Sequence, residues 1–417
     1  MNHYIPRLQE QKILSHLKQF SVVCLTGPRQ VGKSTLLKHL QKPSWQYLNL
    51  DERGLLERAL RDPDLFIENL TTPIIIDEAQ KAPPIFHSIK AEVDKNPKKC
   101  FILSGSANFQ LMETITETLA GRASIVELLP FSMAELSGIE KPRFISNLLQ
   151  ATSIGQLKTL ANEIKIRRVP HPYRYILSGG MPKVHELKTQ AARTTWFENY
   201  RTTYIERDLR NLAQVGHLED FQRFYQSIAF QTGNLLNLSN FSQEIGISVP
   251  TCKRYLDILR TSYQAFTQLP YYTNIKKRFV KTPKCYLLDT GIACFFLRCE
   301  SEEMLKNSGH LGALFETWIV NELKKITATL PVCPTLSFWQ LHAGYEVDIV
   351  LEMGETLVPM EVKHAIRLQD RDIKGLQLFI NEIKNRNIPF GILWYRGATI
   401  QQLGEKIIAL PIEYLWN

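Results

Sequence analysis

Residues 21–40 read SVVCLTGPRQVGKSTLLKHL, and this stretch decides the fold of the first part of the chain. Its opening, SVVCL at residues 21–25, is a short run of apolar and β-branched residues that is typical of a buried strand. Its end, TLLKHL at residues 35–40, has the apolar spacing of a helix. Between them, GPRQVGKS at residues 27–34 matches GxxxxGK followed by Ser or Thr, in the strand–loop–helix setting that this motif requires.

The motif predicts a loop that binds the phosphates of ATP. Its glycines let backbone N–H groups close around the phosphate oxygens, and the start of the following helix adds its positive dipole end. We expect Lys33 to reach the β- and γ-phosphates and the Ser34 hydroxyl to ligate Mg²⁺. The residues expected to bind the nucleotide are Gly27, Pro28, Arg29, Gln30, Val31, Gly32, Lys33, Ser34 and Thr35.

A second apolar run, PIIIDE at residues 73–78, predicts a buried strand that ends in two carboxylates. We expect Asp77 to hold Mg²⁺ through water, and Glu78 to polarise the water that attacks the γ-phosphate. Glu78 beside Asp77 favours hydrolysis over a kinase-like transfer, because a kinase must keep water away from the γ-phosphate.

Three further apolar runs, at residues 45–50, 100–103 and 124–128, bring the predicted strands to five. Strands that alternate with helices predict a parallel α/β sheet. Ser104 and Ser106 follow the fourth strand and are candidate contacts of the γ-phosphate or the water, with turn residues as the alternative. Arg122 is a candidate arginine finger for a neighbouring subunit's nucleotide, which would require a homo-oligomer; a local salt bridge is the alternative.

Positive charge is concentrated in the middle of the chain. The net charge of +9 divides into +2 for residues 1–130, +5 for 131–230, +5 for 231–300 and −3 for 301–417. A basic middle favours a polyanion such as DNA as a partner, with an unpartnered solvated surface as the alternative.

The same region contains a candidate helix-turn-helix. Residues 239–244 and 249–260 have helical spacing, and the turn between them contains Gly246 and a candidate N-cap, Ser248. Residues 272–278 and 281–287 then predict a hairpin, which would make a winged helix whose basic wing contacts phosphates. A protein-binding module or a structural lid is the alternative. The candidate DNA-binding residues are Lys253, Arg254, Lys276, Lys277, Arg278, Lys281 and Lys284.

The last hundred residues predict a second candidate site. From Gly312 the order of elements is helix, three strands, helix, strand, with Asp348 on the second strand and Glu361 and Lys363 on one face of the third. Two carboxylates that meet there can bind Mg²⁺, and Lys363 can orient a water or offset charge on a scissile phosphate. A fold retained without cleavage is the alternative.

Several of these stretches resemble known families. GPRQVGKST, IIIDEAQKAP, FILSGSANF and the LAGR that precedes LLPFSMAEL resemble the AAA-type domain of a prokaryotic ATPase family. In that family the domain is joined to a C-terminal region known as domain of unknown function 4143, and the resemblance continues in FENYRTTYIERDL, GALFETWIVNEL and EVDIVLE. It implies an ATPase of the additional-strand type.

The C-terminal pattern resembles the PD-(D/E)xK nuclease superfamily. That resemblance implies catalytic and metal-binding roles for Asp348 and Glu361, a catalytic role for Lys363, and a supporting metal-binding carboxylate in Glu316. Val347 stands where the nominal motif has proline.

Taken together, the 417 residues predict an α/β fold: an AAA-type P-loop NTPase sheet, a helical and winged-helix region, and a restriction-endonuclease-like α/β domain. The boundaries expected are 1–138, 139–220, 221–300 and 301–417. Seven cysteines without CxxC pairing, and no long apolar stretch, predict a cytoplasmic protein without a membrane partner. The function expected is Mg²⁺-dependent ATP hydrolysis coupled to conformational change on DNA. The alternatives are a metal-dependent DNA nuclease with a regulatory ATPase, and a nucleotide-switched protein-interaction module.

Overall fold

The computed structural model describes residues 4–105, 117–167, 171–206, 218–341 and 344–417. These residues form two compact units. Unit 1 contains the described residues up to Phe131 together with residues 201–206 and 261–263, and unit 2 contains the rest. Among the helices of the described residues, none has the length and apolarity needed to cross a bilayer.

Unit 1 is built on a five-stranded parallel sheet, as the sequence predicts. Its strands are β1 (Val22–Thr26), β2 (Gln46–Asn49), β3 (Ile74–Asp77), β4 (Phe101–Ser104) and β5 (Ala123–Glu127). Their spatial order is β2-β3-β4-β1-β5, and every pairing is parallel. The strand β4 is therefore inserted between β1 and β3, which is the additional strand that the resemblance implies. Because parallel strands end at a common edge, the loop after β1 and the carboxylate that ends β3 lie at the same edge.

Helices cover both faces of this sheet. Val22 and Cys24 of β1 belong to one apolar core, and Val23 and Leu25 belong to the other, as the period of two in a strand requires. A strand buried on both faces reads as a continuous apolar run, which is why β1 was recognisable in the sequence. The helices of unit 1 are α1 (Glu10–His16), α2 (Lys33–Leu40), α3 (Arg53–Arg61), α4 (Pro63–Glu68) and α5 (Ile85–Lys95).

Unit 2 begins with short helices and continues into a helical region. Its helices are α6 (Met133–Leu136), α7 (Phe144–Leu148), α8 (Ile154–Glu163), α9 (Pro172–Ser178), α10 (Pro182–Glu186), α11 (Gln190–Tyr200), α12 (Leu218–Phe230), α13 (Leu238–Ile245), α14 (Val249–Thr261), α15 (Ile275–Val280), α16 (Thr290–Phe296), α17 (Glu302–Asn307), α18 (Leu311–Thr327) and α19 (Lys374–Glu382).

Helices α13 and α14 form the predicted pair. Gly246 ends α13 with a φ of 80°, a left-handed conformation that glycine adopts without steric cost. The backbone N–H of Thr251 donates to the Ser248 hydroxyl at 3.2 Å, so Ser248 caps α14 as predicted. An antiparallel three-stranded sheet accompanies this pair: β6 (Asn234–Leu235), β7 (Ala265–Gln268) and β8 (Lys284–Leu287), in the order β6-β8-β7.

The prediction that residues 272–278 form the first strand of the wing is wrong. Residues from Ile275 to Val280 form α15 because the Asn274 side chain accepts a hydrogen bond from the Lys276 backbone N–H at 3.0 Å and caps the helix. The hairpin partners are β7 and β8 instead, with α15 in the connection between them.

The C-terminal part of unit 2 contains a mixed six-stranded sheet. Its strands are β9 (Thr335–Gln340), β10 (Glu346–Met353), β11 (Thr356–Lys363), β12 (Gly391–Tyr395), β13 (Gln401–Gln402) and β14 (Ile407–Pro411). The spatial order is β13-β14-β12-β11-β10-β9. The helix α18, the strands β9 to β11, α19 and β12 follow in the order that the sequence predicts. The strands β13 and β14 extend the sheet beyond that prediction.

Candidate functional sites

The loop between β1 and α2 has the backbone conformation of a tight phosphate-binding turn. Gln30 and Gly32 have φ values of 60° and 96°, so the chain turns through left-handed conformations before α2 begins. A Cβ on Gly27 would lie 2.2 Å from the Leu128 carbonyl oxygen, which leaves no room for any other residue there. Both predicted glycines are therefore required by the path of the loop.

Lys33 is the first residue of α2, and its side chain is buried across the loop. Its Nζ donates to the carbonyl oxygens of Gly27 at 3.0 Å and Pro28 at 2.8 Å. Burial lowers the pKa of Lys33 to about 8, although Glu78 and Asp77 act in the opposite direction. The ammonium group is thus held inside the loop by two neutral carbonyl oxygens. Negatively charged phosphate oxygens would compensate its charge better than these carbonyls do.

Asp77, at the end of β3, is held by hydroxyl groups from the strands on either side. The Tyr47 hydroxyl of β2 donates to Oδ2 at 2.6 Å, and the Ser104 hydroxyl of β4 donates to Oδ1. Burial is the main cause that raises the pKa of Tyr47, and the hydrogen bond to the Asp77 carboxylate is the second. This hydroxyl therefore remains a donor. The structure therefore places Ser104 against Asp77, and it adds Tyr47, which the sequence interpretation missed.

Glu78 follows β3 in a left-handed conformation, with φ of 57° and ψ of 38°. Such a backbone costs a non-glycine residue roughly 1–2 kcal/mol, and it turns the chain sharply out of the strand direction. The Glu78 carboxylate accepts a hydrogen bond from the Gln80 side-chain amide. Glu78 is consequently held beside Asp77 by a turn and by a specific hydrogen-bond donor.

The donor set at this edge fits Mg²⁺. A hydroxyl from Ser34 and a carboxylate from Asp77 are hard oxygen ligands, which this cation prefers, and the two hydroxyl donors keep Asp77 fixed without neutralising it. Ser34 and Asp77 are therefore the residues that would hold the ion.

Arg7 was also missed by the sequence interpretation. It is buried, and its guanidinium donates to the Val31 carbonyl at 2.9 Å and to the Leu129 carbonyl at 2.5 Å. These bonds tie the phosphate loop to the segment that follows β5. No local motif surrounds Arg7, so nothing in the sequence distinguishes it from a surface arginine.

Arg122 forms a local salt bridge. Its guanidinium donates to the two carboxylate oxygens of Asp94 at 2.6 and 3.0 Å, and both side chains are solvent-accessible. Arg122 directly precedes β5, at the amino edge of the sheet and opposite the phosphate loop, so it cannot serve the nucleotide of its own sheet. A role in a neighbouring subunit stays a prediction. Ser106 lies outside the described residues.

The structure brings together the residues predicted for the C-terminal site. Asp348 is on β10, Glu361 and Lys363 are on β11, and all three side chains lie in one group with Glu316 of α18. The Asp348 Oδ2 accepts from the Val362 backbone N–H at 2.8 Å, and Lys363 Nζ donates to Glu361 Oε1 at 2.5 Å. Burial raises the pKa of Glu361 well above its usual range and the pKa of Glu316 to about 7. The negative charge of Asp348 is the second cause for both groups.

Lys284 is a correction to the predicted DNA-binding set. It is 2% exposed, and its Nζ lies 3.0 Å from Glu316 Oε1, 3.7 Å from Glu346 Oε2 and 3.9 Å from Asp348 Oδ1. The attraction of these carboxylates outweighs burial and raises the pKa of Lys284. A lysine enclosed in this way cannot contact DNA.

Arg278 is a second correction. Its guanidinium is paired with Glu352 at 2.6 Å and is only partly accessible, because it also stacks over the Tyr271 ring. The remaining five predicted DNA-binding residues are exposed: Lys253 and Arg254 on α14, Lys276 and Lys277 on α15, and Lys281 just after it.

The C-terminal group does not fit the divalent cation that the resemblance to the nuclease superfamily implies. The Lys284 ammonium, which is not part of the predicted motif, already lies against the carboxylates of Glu316, Glu346 and Asp348. Within the described ranges, no group of three or more His, Cys, Asp or Glu side chains is arranged to hold a metal ion. The metal-binding roles predicted for Asp348, Glu361 and Glu316 are therefore not supported by this geometry.

Comparison with known protein families gives three matches along the chain. Residues 19–137 match an AAA domain, residues 170–303 match domain of unknown function 8612, and residues 311–415 match domain of unknown function 4143. The first and last matches confirm the predicted pairing of an AAA domain with a C-terminal domain of unknown function 4143.

Two relatives and two solved structures align with most of this chain. Uncharacterized proteins from Mycobacterium bovis and Mycobacterium tuberculosis are each 28% identical over 350 residues, which cover 84% of this chain and 71% of theirs. Thermotoga maritima RuvB aligns at 18% identity over 62% of this chain and 87% of its own, with a TM-score of 0.28. Drosophila ORC bound to DNA aligns at 15% identity over 70% of this chain and 89% of its own, with a TM-score of 0.26.

Proposed function

Because the chain joins an AAA domain to a domain of unknown function 4143, we propose that it binds ATP with Mg²⁺ at residues 27–35 and hydrolyses it. One observation carries this proposal. Lys33 lies inside the phosphate loop at the sheet edge where Asp77 is fixed by Tyr47 and Ser104. A structural surface loop would not require a buried lysine, a buried carboxylate and two dedicated hydroxyl donors at one place.

Each residue has a chemical task in this proposal. Loop N–H groups and the start of α2 bind phosphate oxygens, and Lys33 exchanges its two carbonyl acceptors for the β- and γ-phosphates. Mg²⁺, when bound by Ser34 and Asp77, would neutralise charge on the phosphates. Glu78 orients the attacking water and accepts its proton, and Gln80 keeps the Glu78 carboxylate in place. Release of inorganic phosphate from ATP by the purified full chain tests the proposal directly, and absence of both binding and release would refute it.

ATP affinity should fall as pH rises through about 8. In the nucleotide-free protein, burial lowers the pKa of Lys33 to about 8, and bound phosphates would raise it again because they stabilise the charged form. Below pH 7 the lysine is charged in both states, so affinity should be independent of its titration; above pH 8, binding must also take up a proton. Calorimetric titrations at pH 6.5, 8 and 9 in buffers of different ionisation enthalpy measure that uptake. Equal affinity and no proton uptake across this range would contradict the assignment.

We propose DNA as the partner to which hydrolysis is coupled. Support comes from the arrangement of α12, β6, α13, α14, β7 and β8, which is the order of elements in a winged helix. It comes also from five exposed basic residues, of which four are on α14 and α15 and the fifth, Lys281, directly follows α15. Contacts to phosphates from such residues would position the protein without reading sequence. Protein binding by the same surface is the outcome if DNA binding is absent.

The double variant Lys253→Glu/Arg254→Glu should weaken duplex binding and flatten its salt dependence. Removing two phosphate contacts lowers the slope of log K against log salt by about 2. Fluorescence anisotropy with a labelled duplex between 50 and 200 mM salt measures both effects. Lys384→Glu is the matched control, since Lys384 is an exposed lysine outside the helix pair. An unchanged slope in the double variant would remove α14 from the proposed interface.

A homo-oligomer remains part of the proposal because Arg122 lies at the amino edge of its own sheet and could act only on another subunit. Sedimentation with and without ATP tests this part, and a monomer under both conditions would remove it. Strand cleavage is not proposed, because the Lys284 ammonium lies among the C-terminal carboxylates.

A further inference from the structure

The C-terminal part of unit 2 contains an acidic cluster formed by Glu316, Glu346, Asp348 and Glu361, of which Glu346 is partly exposed and the other three are largely buried. One cation of the protein, Lys284, lies among three of these carboxylates. Lys284 Nζ is 3.0 Å from Glu316, 3.7 Å from Glu346 and 3.9 Å from Asp348, so three carboxylates from α18 and β10 surround a single ammonium group. The fourth carboxylate, Glu361, has its own lysine, Lys363, at 2.5 Å.

Lys284 is placed in the cluster by the backbone of β8 and not by a flexible loop. Its register is fixed on both sides, against Leu235 of β6 and Gln268 of β7. Tyr286 lies two residues further along β8, on the same face, and its hydroxyl donates to the same oxygen of Glu316 at 2.7 Å. Two side chains of one strand therefore donate to the same carboxylate oxygen, and the strand fixes the position of both donors.

Buried carboxylates need a nearby cation because their desolvation is costly. In a metal-dependent nuclease site a divalent ion would supply that charge. Here Lys284 supplies it, since its side chain is 2% exposed and its strand is paired on both sides. A divalent ion in the same space would meet the repulsion of an ammonium group a few ångströms away.

We propose that the Lys284 ammonium takes the place of the divalent cation that the resemblance to the nuclease superfamily implies. The acidic cluster is thereby a metal-free internal ion network that joins β8 to α18 and β10. The cluster has a structural role in unit 2, and it does not cleave nucleic acid.

Mn²⁺ binding to the full-length, nucleotide-free protein tests this proposal, with electron paramagnetic resonance counting the bound ions. Wild type and Asp348→Asn should bind the same number, because any ion held at the phosphate loop is common to both. Lys284→Met should gain one Mn²⁺ per chain, bound at least tenfold more tightly than any ion of the wild type. The double variant Lys284→Met/Asp348→Asn should lose it again.

Lys281→Met is the matched control, since Lys281 is an exposed lysine three residues before Lys284, and it should gain no ion. A wild-type protein that binds one more Mn²⁺ than Asp348→Asn would overturn the proposal. So would a folded Lys284→Met variant that gains none. If Lys284→Met does not fold, the comparison of wild type with Asp348→Asn decides alone, because it leaves the lysine in place.

Discussion

Glu78→Gln is expected to slow ATP hydrolysis at least a hundredfold while ATP affinity stays within about twofold of the wild-type value. A positioned general base contributes roughly 10²–10⁴ in rate, and glutamine has nearly the same shape but cannot accept the proton. Binding should survive because the groups that contact the phosphates belong to the loop and α2, with Lys33 held by Gly27 and Pro28. Steady-state phosphate release and fluorescent nucleotide titration give the two quantities separately.

Lys33→Ala should behave differently, with loss of both binding and hydrolysis, because the buried ammonium interacts with the phosphates before and during the reaction. Glu57→Gln is the matched control: Glu57 is an exposed glutamate on α3, paired with Arg53, and its change should alter neither quantity. If Glu78→Gln lost affinity as severely as Lys33→Ala, Glu78 would be a binding residue and its proposed role as base would fail.

The candidate nucleotide site could be assembled from the sequence where its parts are consecutive. The strand, loop and helix around Gly27, Gly32 and Lys33 specify one another locally, and Asp77 and Glu78 end an apolar run of the right length. Tyr47 and Arg7 were not predictable. Tyr47 reaches Asp77 only because β2 lies beside β3 in the sheet, and Arg7 reaches Val31 through packing that no local pattern encodes.

The basic region shows what could not be predicted from the pattern of charges in the sequence. In the sequence, Lys284 is one more cation in a lysine-rich stretch, and its burial depends on Glu316, Glu346 and Asp348, which lie 32 or more residues further along the chain. Charge patterning therefore predicts where cations are numerous but not which of them face solvent. The helix α15 was missed for a different reason. Six residues are too few to distinguish the apolar period of a helix from the alternation of a strand.

The buried pair of Glu322 and Lys325 on α18 is the basis of the largest stability effect we expect. Glu322 is 0% exposed and accepts hydrogen bonds from the Lys325 ammonium at 3.0 Å, the Met133 backbone N–H at 2.8 Å and the Tyr175 hydroxyl at 3.2 Å. Burial raises the pKa of Glu322, and Lys325 is the largest influence in the opposite direction. Removal of Lys325 would leave this carboxyl without its nearest cation in a fully buried position.

Lys325→Met should lower the free energy of unfolding of unit 2 by about 3–5 kcal/mol, which is the usual cost of leaving one charge of a buried ion pair without its partner. Glu322→Leu/Lys325→Met should recover part of that loss, because it removes the charge together with its partner, although Met133 then keeps an unpaired N–H. Urea unfolding followed by tryptophan fluorescence measures both, since the Trp318 ring is 5.5 Å from that of Tyr175. Lys324→Met is the matched control one residue earlier. A double variant less stable than Lys325→Met would show that the hydrogen bonds of Glu322, and not its charge, dominate its contribution.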